Sequence, residues 1–228
     1  MIKYPEAIPI GMARHLQRDL DQLAKDLLTM GALVEEATNK AITALARRNR
    51  ALAREVTQGD PAINDQENLV EENALKILAL HQPVAADLRF IITALKVNND
   101  LERIGDHAVS IGERSDVLAN LDPIPLPEDF QKLVDVVQRM VHDSLNALVE
   151  RDAMLARSVC AMDDEVDRIH RLMYAEMQDV MRKDPVTIEP AINTISATRH
   201  LERIADLATN IAEDVVFMVE GEILRHNY

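Results

Sequence analysis

One helical phrase occurs twice in the chain, and this repeat constrains the fold more than any other feature. The segment LERIGDHAVSIGE begins at Leu101, and the segment LERIADLATNIAE begins at Leu201. Eight of the 13 aligned positions are identical. Pro83 corresponds in the same way to Pro185, so the duplication extends beyond the phrase itself. We therefore expect two structurally equivalent halves.

The hydrophobic pattern predicts helices in both halves. Apolar residues recur in steps of three and four, for example from Leu16 to Ala44, which is typical of a helix that packs in a bundle. Aromatic residues make up only 3% of the chain, so aliphatic side chains must fill the core, as suits helix packing. No segment shows the alternation of a strand. The predicted fold is all-α, with two tandem, internally duplicated three-helix bundles.

Turn-forming residues set the expected boundaries. In the first half, a short helix from Ala51 to Gln58 should end before the GDP segment, where Asp60 can cap a new helix and Pro61 can occupy its first position. The final helix should end near Glu220. The predicted organisation is an N-terminal tail at 1–11, a first three-helix repeat at 12–121, a proline-rich linker at 122–127 and a second three-helix repeat at 128–228.

Composition and motifs exclude several classes of function. The formal net charge of -14 argues against nucleic-acid binding and against adsorption to anionic lipid, and it suits a cation or a basic protein partner. Cys160 is the single cysteine, so no intrachain disulfide is possible. No apolar stretch is long enough to insert into a membrane. Phosphate-loop, dinucleotide, esterase and zinc-protease motifs are missing, so we predict no enzyme and no catalytic or cofactor-binding residue.

Each copy of the phrase carries two carboxylates four residues apart, Glu102 with Asp106 and Glu202 with Asp206. Such residues are neighbours on one face of a helix, and their like charges repel. A cation between the two carboxylates removes this repulsion, and hard divalent cations prefer carboxylate oxygens. The acidic face lies opposite the apolar face that begins at Leu101 in the first copy, so we expect the bundle not to depend on it.

The helix that precedes each copy supplies a second polar pair. Because the two helices of each predicted hairpin run antiparallel, this pair comes to the same height as the carboxylates of the phrase. We therefore predict one carboxylate cluster in each repeat, with tighter cation binding where four carboxylates are present. The predicted metal-ligating residues are Asp60, Asn64, Glu102 and Asp106 in the first repeat and Asp163, Asp167, Glu202, Asp206 and Asn210 in the second.

Three segments together resemble the PhoU family, namely QPVAADLR at 82–89, NDLERIGDHA at 99–108 and HLERIADLATNIAED at 200–214. The resemblance implies a cytoplasmic, usually homodimeric, negative regulator of the phosphate-starvation response. It implies action between a phosphate ABC transporter, through the transporter's ATPase, and a sensor histidine kinase. It also implies metal binding, with iron, zinc, manganese or magnesium, through E(D)-x-x-x-D motifs. Asn64 departs from that motif in the first repeat, and Ser110 stands where the second repeat has Asn210.

Other interpretations need no metal or need a different one. A metal-free helical scaffold can bind a basic partner through its acidic face. Arg103 and Arg203 can also pair with the neighbouring carboxylates and leave no metal at all. A ferritin-like di-iron carboxylate protein requires two Glu-x-x-His pairs and two further Glu residues. This chain offers one Asp-x-x-His, at Asp167 and His170. Carboxylates four residues apart are also common on an ordinary solvated helix face.

Overall fold

The computed structural model describes residues 10–221, and this part of the chain is helical with no strand, as predicted. A single turn of 3₁₀ helix at Pro185–Thr187 precedes the last helix. The α-helices are α1 (Ile10–Arg47), α2 (Arg50–His81), α3 (Ala85–Leu118), α4 (Phe130–Glu150), α5 (Ala153–Cys160), α6 (Asp163–Lys183) and α7 (Ile188–Glu220).

The helices form two bundles that share one core. Helices α1, α2 and α3 pack against one another, and α7 packs against α4, α5 and α6. Helices α3 and α7 also make an extensive contact with each other, and they run antiparallel. Lys96 Nζ lies 2.7 Å from Asp214 Oδ1 near one end of this contact, and His107 pairs with His200 further along it. The two copies of the repeated phrase therefore cross each other at the centre of the molecule.

The apolar face of the repeated phrase is buried in both copies. The side chains of Leu101 and Ile104 in α3 and of Leu201 and Ile204 in α7 have no exposed surface. All of them belong to a single cluster of buried apolar residues that extends through both bundles. Burying a side chain of this size contributes roughly 1.5–3 kcal/mol, so the period-3.6 pattern of the phrase accounts for its place in the core.

The expected break in the first repeat is wrong. Helix α2 is continuous from Arg50 to His81, and Pro61 lies inside it, so Asp60 caps no helix. The helix begins instead after Asn49, whose side chain accepts the backbone N–H groups of Ala51 and Leu52 at 3.0 and 3.2 Å. A proline in a helix removes one backbone hydrogen bond. Here the carbonyl group that lacks an N–H donor belongs to Thr57, four residues before Pro61. Because Thr57 is exposed, water can bond to this carbonyl group, and the loss of stability is smaller.

The second repeat does contain the break. Asp152 caps α5 by accepting the N–H groups of Met154 and Leu155 at 2.8 and 3.0 Å. Helix α5 then ends at Cys160, and α6 begins at Asp163. One boundary at the N-terminus also differs from expectation. Residues 10 and 11 belong to α1 and not to the predicted tail, while residues 1–9 lie outside the described residues.

Candidate functional site

The four predicted carboxylates of the second repeat come together between α6 and α7; we call them the second acidic cluster (Asp163, Asp167, Glu202 and Asp206). The hydroxyl of Thr209 on α7 donates to Asp163 Oδ1 on α6 at 3.2 Å, which holds the two helices in register. Burial raises the pKa of Asp206 to about 6, and the charges of Glu202, Asp163 and Asp167 add to the effect. The carboxylates are therefore close enough to disfavour one another's ionisation.

Glu202 is the least well compensated member of this cluster. Its side chain is 17% exposed, and its Oε2 atom is buried without a hydrogen bond. The nearest positive charge is Arg203, with Nε 3.5 Å from that oxygen. Burial raises the pKa of Glu202, and the charges of Asp167 and Asp163 act in the same direction. A buried carboxylate oxygen of this kind calls for a proton or a cation. The acidic face is thus partly buried, more so than the helical wheel indicates.

Arginines occupy part of the space that a cation would take. Arg203 donates to Asp206 Oδ2, and Arg171 donates to Asp167 Oδ2, both at 3.1 Å. Within the part of the chain that the structure describes, no three His, Cys, Asp or Glu side chains converge closely enough to hold an ion as they stand. The negative charge of these residues suits a cation, but the carboxylates do not converge on one point, and Arg203 and Arg171 pair with two of them.

His170 lies on the same side of α6, one turn after Asp167. Its Nε2 atom is buried and has no hydrogen-bond partner. Burial lowers the pKa of this imidazole, while Asp167 opposes the shift, so the neutral, metal-competent form is favoured. An unpartnered ring nitrogen beside a carboxylate cluster makes His170 a candidate ligand. Asn210, the remaining predicted ligand, lies one turn after Asp206 and lines the cavity described below.

The first repeat brings together an equivalent set between α2 and α3, which we call the first acidic cluster (Asp60, Asn64, Glu67, Glu102 and Asp106). Asn64 donates to Asp60 Oδ2 at 3.0 Å. Burial raises the pKa of Glu102, followed by the charges of Asp106, Glu67 and Asp60. Burial likewise raises the pKa of Glu67, with Glu71 and Asp106 contributing. All of the residues predicted for this repeat therefore lie at one place.

Glu67 is a member of this cluster that the sequence did not predict as a ligand. It occupies the position in the first repeat that His170 occupies in the second, since the offset that relates Asp60 to Asp163 also relates these two. The available signal was the spacing of Asp60, Asn64 and Glu67 in steps of four and three along one face of α2. With Glu67 included, each cluster has four carboxylates. The ligand count that favoured the second cluster therefore no longer distinguishes the two.

A cavity of about 220 Å³ opens beside the second acidic cluster, where α3 of the first bundle meets α6 and α7 of the second. Its two arginines, Arg103 and Arg203, occupy equivalent positions in the two copies of the repeated phrase. Its walls carry both acidic and basic side chains. The lining residues are Arg103 and His107 from α3, Asp163 from α6, and Arg203, Asp206, Leu207, Thr209 and Asn210 from α7.

Comparison with known proteins gives the same duplicated architecture. The model of the PhoU domain matches residues 27–115 and again 130–215. A "Phosphate-specific transport system accessory protein PhoU homolog" from Pseudomonas putida is 38% identical over 97% of this chain and 87% of its own length. Its counterpart in Aquifex aeolicus is 37% identical over 93% of this chain and 96% of its own length.

Solved structures agree. The crystal structure of PhoU from Pseudomonas aeruginosa is 39% identical with a TM-score of 0.87, covering 90% of this chain and 99% of that one. The phosphate transport system regulatory protein PhoU from Streptococcus pneumoniae is 28% identical with a TM-score of 0.86, covering 92% and 99%. Tandem helical repeats with an acidic cluster in each define a class of duplicated bundle proteins. Within that class, the chain belongs to the PhoU family.

None of the helices between residues 10 and 221 is both long enough and apolar enough to span a bilayer.

Proposed function

We propose that the protein is a non-enzymatic, metal-binding regulator of phosphate uptake and of phosphate-starvation signalling in the cytoplasm. It acts as a negative regulator between a phosphate ABC transporter and a sensor histidine kinase. The observation that carries the proposal is the PhoU domain match in both halves, together with one acidic cluster in each. Relatives with this domain organisation are named as accessory proteins of the phosphate-specific transport system.

The charge of the two clusters supports metal binding. Each cluster places four carboxylates on two neighbouring helices. The pKa values of Glu102, Glu202 and Asp206 are raised by burial and by the charges of the other carboxylates in the same cluster. An iron, zinc, manganese or magnesium ion bound there supplies positive charge that neutralises these groups and links α2 to α3 or α6 to α7. The buried Oε2 of Glu202, which has no hydrogen-bond partner, would gain one from such an ion.

Exposed apolar side chains support binding to other proteins. At the start of α3, Val84, Leu88 and Ile92 are 60%, 39% and 38% exposed. At the equivalent start of α7, Ile188 and Ile192 are 42% and 54% exposed. Exposed apolar patches of this kind are typical of protein–protein contacts. We propose that the transporter ATPase, the sensor kinase and a second copy of the chain bind to these exposed apolar side chains.

Gene deletion tests the regulatory role. Loss of the protein should switch on phosphate-starvation genes even when phosphate is plentiful, and expression of the intact chain should restore repression. The measurement is a reporter fused to a starvation promoter, in high and low phosphate. A deletion strain whose reporter stays as low as the parent's in high phosphate contradicts negative regulation.

A metal-free scaffold is the second candidate. The ion pairs of Arg203 with Asp206 and of Arg171 with Asp167 favour it, because they neutralise part of the cluster without a metal. Elemental analysis of protein purified without chelators, followed by titration with each metal, separates the two candidates. A protein that carries no metal and takes none up is a scaffold. The ferritin-like alternative has less support, since the first repeat has Glu67 where the second has His170.

A further inference from the structure

The outer side of α3 changes from apolar to acidic along its length. Leu88 and Ile92, near the start of the helix, are exposed. Steps of three and four residues continue the same side of the helix from these side chains to the first acidic cluster. We call this side the α3 stripe (Leu88, Ile92, Leu95, Asn99, Glu102 and Asp106). At 1.5 Å per residue, the stripe is about 27 Å long.

Helix α2 shows the same change of character beside the stripe. Leu75 is 53% exposed and lies one turn after Glu71, whose charge reaches Glu67 of the first acidic cluster. The turn between α2 and α3 lies at residues 82–84, so the antiparallel hairpin brings Leu75 to the height of Ile92. The two helices together therefore present an apolar area near the turn and an acidic area further along.

The negative charge of this surface is not neutralised within the hairpin. Residues 60–106 contain nine Asp and Glu and four Lys and Arg, a net charge of -5. The two basic residues that flank the α3 stripe are engaged elsewhere, since Lys96 pairs with Asp214 at 2.7 Å and Arg103 pairs with Asp100 at 3.2 Å. Within residues 10–221, the ion pairs that involve an acidic cluster all lie in the second cluster.

The second repeat keeps the apolar side chains and changes the charge. Ile188 and Ile192 of α7 stand where α3 has Leu88 and Ile92, and they are also exposed. An exposed arginine, Arg199, stands where the α3 stripe has Asn99. The equivalent face of the second repeat therefore carries a positive charge between its apolar and acidic areas, and the first repeat does not.

We propose that the α3 stripe, together with Leu75 and Glu71 of α2, binds a basic amphipathic helix of a partner protein. Apolar side chains of the partner helix cover Leu75, Leu88 and Ile92, and its Lys or Arg side chains face the first acidic cluster. An amphipathic helix laid against an apolar surface is a recurring mode of recognition, and opposite charge selects the partner and its direction. A second copy of the chain suits this surface poorly, because it has a net charge of -14.

This inference rests on the partner binding proposed above and adds the chemistry of the partner and its place on the chain. It needs no metal, because the ammonium or guanidinium groups of the partner supply the positive charge. It also assigns such a partner to one repeat, since Arg199 would repel a basic segment from the other.

A synthetic peptide tests the proposal. The probe is a fluorescently labelled helix of about 18 residues, long enough to span the stripe, with Leu on one face of its first half and Lys on the same face of its second half. The control peptide has Glu in place of each Lys. Fluorescence anisotropy in the presence of chelator should show the basic probe binding at least about tenfold more tightly than the control, and more weakly as salt is added.

Matched substitutions locate the binding surface. Leu88→Gln/Ile92→Gln should weaken binding of the basic probe about tenfold or more, because two apolar contacts are lost. Ile188→Gln/Ile192→Gln makes the same change in the second repeat and should have little effect. Asn99→Arg should weaken binding by about threefold to tenfold through repulsion of the Lys side chains. The fold should tolerate Asn99→Arg, since Arg199 occupies the equivalent position, and far-ultraviolet circular dichroism checks every variant.

Several outcomes would overturn the proposal. These are a basic probe that does not bind, an acidic control that binds as tightly, and binding that survives either Leu88→Gln/Ile92→Gln or Asn99→Arg in a folded protein. Equal weakening by Ile188→Gln/Ile192→Gln overturns the assignment to the first repeat. If Leu88→Gln/Ile92→Gln instead separates a dimer of the parent in analytical ultracentrifugation, a second copy occupies the surface. The regulatory role is tested separately by the deletion strain, whose reporter does not depend on the peptide result.

Discussion

The Nδ1 atoms of His107 and His200 lie 3.2 Å apart, one on each of the two long helices that join the repeats. The ring centroids are 5.3 Å apart. One ring must donate to the other, so the contact requires at least one neutral imidazole. Burial lowers the pKa of His107 to about 4, and the nearby His200, Arg103 and Arg203 act in the same direction. Burial also lowers the pKa of His200, with Arg114 and Arg199 contributing.

This pair should make the contact between repeats sensitive to acid. Above pH 6.5, His107 is neutral in both the folded and the unfolded chain. As the pH falls from 6.5 towards about 4, the unfolded chain binds the proton and the folded chain does not, so stability is lost in this window. For His107, half-buried as it is, we expect a loss of about 1–2 kcal/mol at pH 5.

His107→Leu tests this, because leucine is the residue at the equivalent position of the second repeat, Leu207. Chemical denaturation at pH 7.5 and pH 5 should show a smaller decrease in unfolding free energy for the variant than for the parent. Other titrating groups, including Asp100, whose pKa burial raises to about 6, are common to both proteins and cancel in the comparison. Equal pH dependence of the two proteins contradicts the prediction.

The charge of Asp206 should destabilise the metal-free protein at neutral pH. Its pKa is raised from 3.8 to about 6, so its favourable contribution is complete below pH 3.8 and is lost as the pH rises through 6. The side chain is 36% exposed, which reduces the effect through solvent screening. We expect Asp206→Asn to raise the unfolding free energy at pH 7.5 by about 1 kcal/mol and to have no such effect at pH 4.

Asp179→Asn is the matched control for that experiment. Asp179 is an exposed aspartate that pairs with Arg182 three residues away, as Asp206 pairs with Arg203, but it lies outside the cluster. Denaturation in the presence of chelator should show little change for Asp179→Asn at either pH. If the two variants behave alike, the effect of Asp206→Asn does not come from the relief of repulsion within the cluster.

Duplication and helical period together account for what the sequence could reveal. The buried Leu101 and Leu201 and the paired carboxylates beside them lie on the faces that a 3.6-residue period assigns. Glu67 was not predicted as a ligand because its counterpart, His170, is a different residue type, so the two repeats share no residue at that position. The contact of His107 with His200 depends on how α3 crosses α7, which no local pattern encodes. Proline predicted a helix start at Pro61, but α2 is continuous there, because tertiary packing outweighs the local preference of a single residue.

Two glycines in helices should respond oppositely to alanine. Nothing lies within 4 Å of a Cβ atom built at Gly59, so Gly59→Ala should stabilise the protein by up to about 1 kcal/mol through helix propensity. A Cβ atom at Gly112 would lie 3.1 Å from the backbone oxygen of Ala53 in α2, which cannot move without shifting that helix. We expect Gly112→Ala to destabilise by about 1–3 kcal/mol. Thermal unfolding of both variants checks this, and a Gly112→Ala protein as stable as Gly59→Ala contradicts it.

The two acidic clusters should differ in which metal they prefer. Each has four carboxylates, but only the second adds an imidazole, His170, whose buried Nε2 is unbonded. Imidazole nitrogen suits zinc and iron, whereas carboxylate oxygens alone suit magnesium and manganese.

Glu202→Ala/Asp206→Ala should therefore remove most of the tightly bound zinc, and Glu102→Ala/Asp106→Ala should remove less. His170→Gln should weaken zinc binding about tenfold and leave manganese binding nearly unchanged. Competition titration with a zinc indicator measures zinc binding, and electron paramagnetic resonance measures manganese binding. Far-ultraviolet circular dichroism checks that each variant keeps its helices. Equal zinc loss from the two double variants, or zinc binding that is indifferent to His170→Gln, contradicts the assignment.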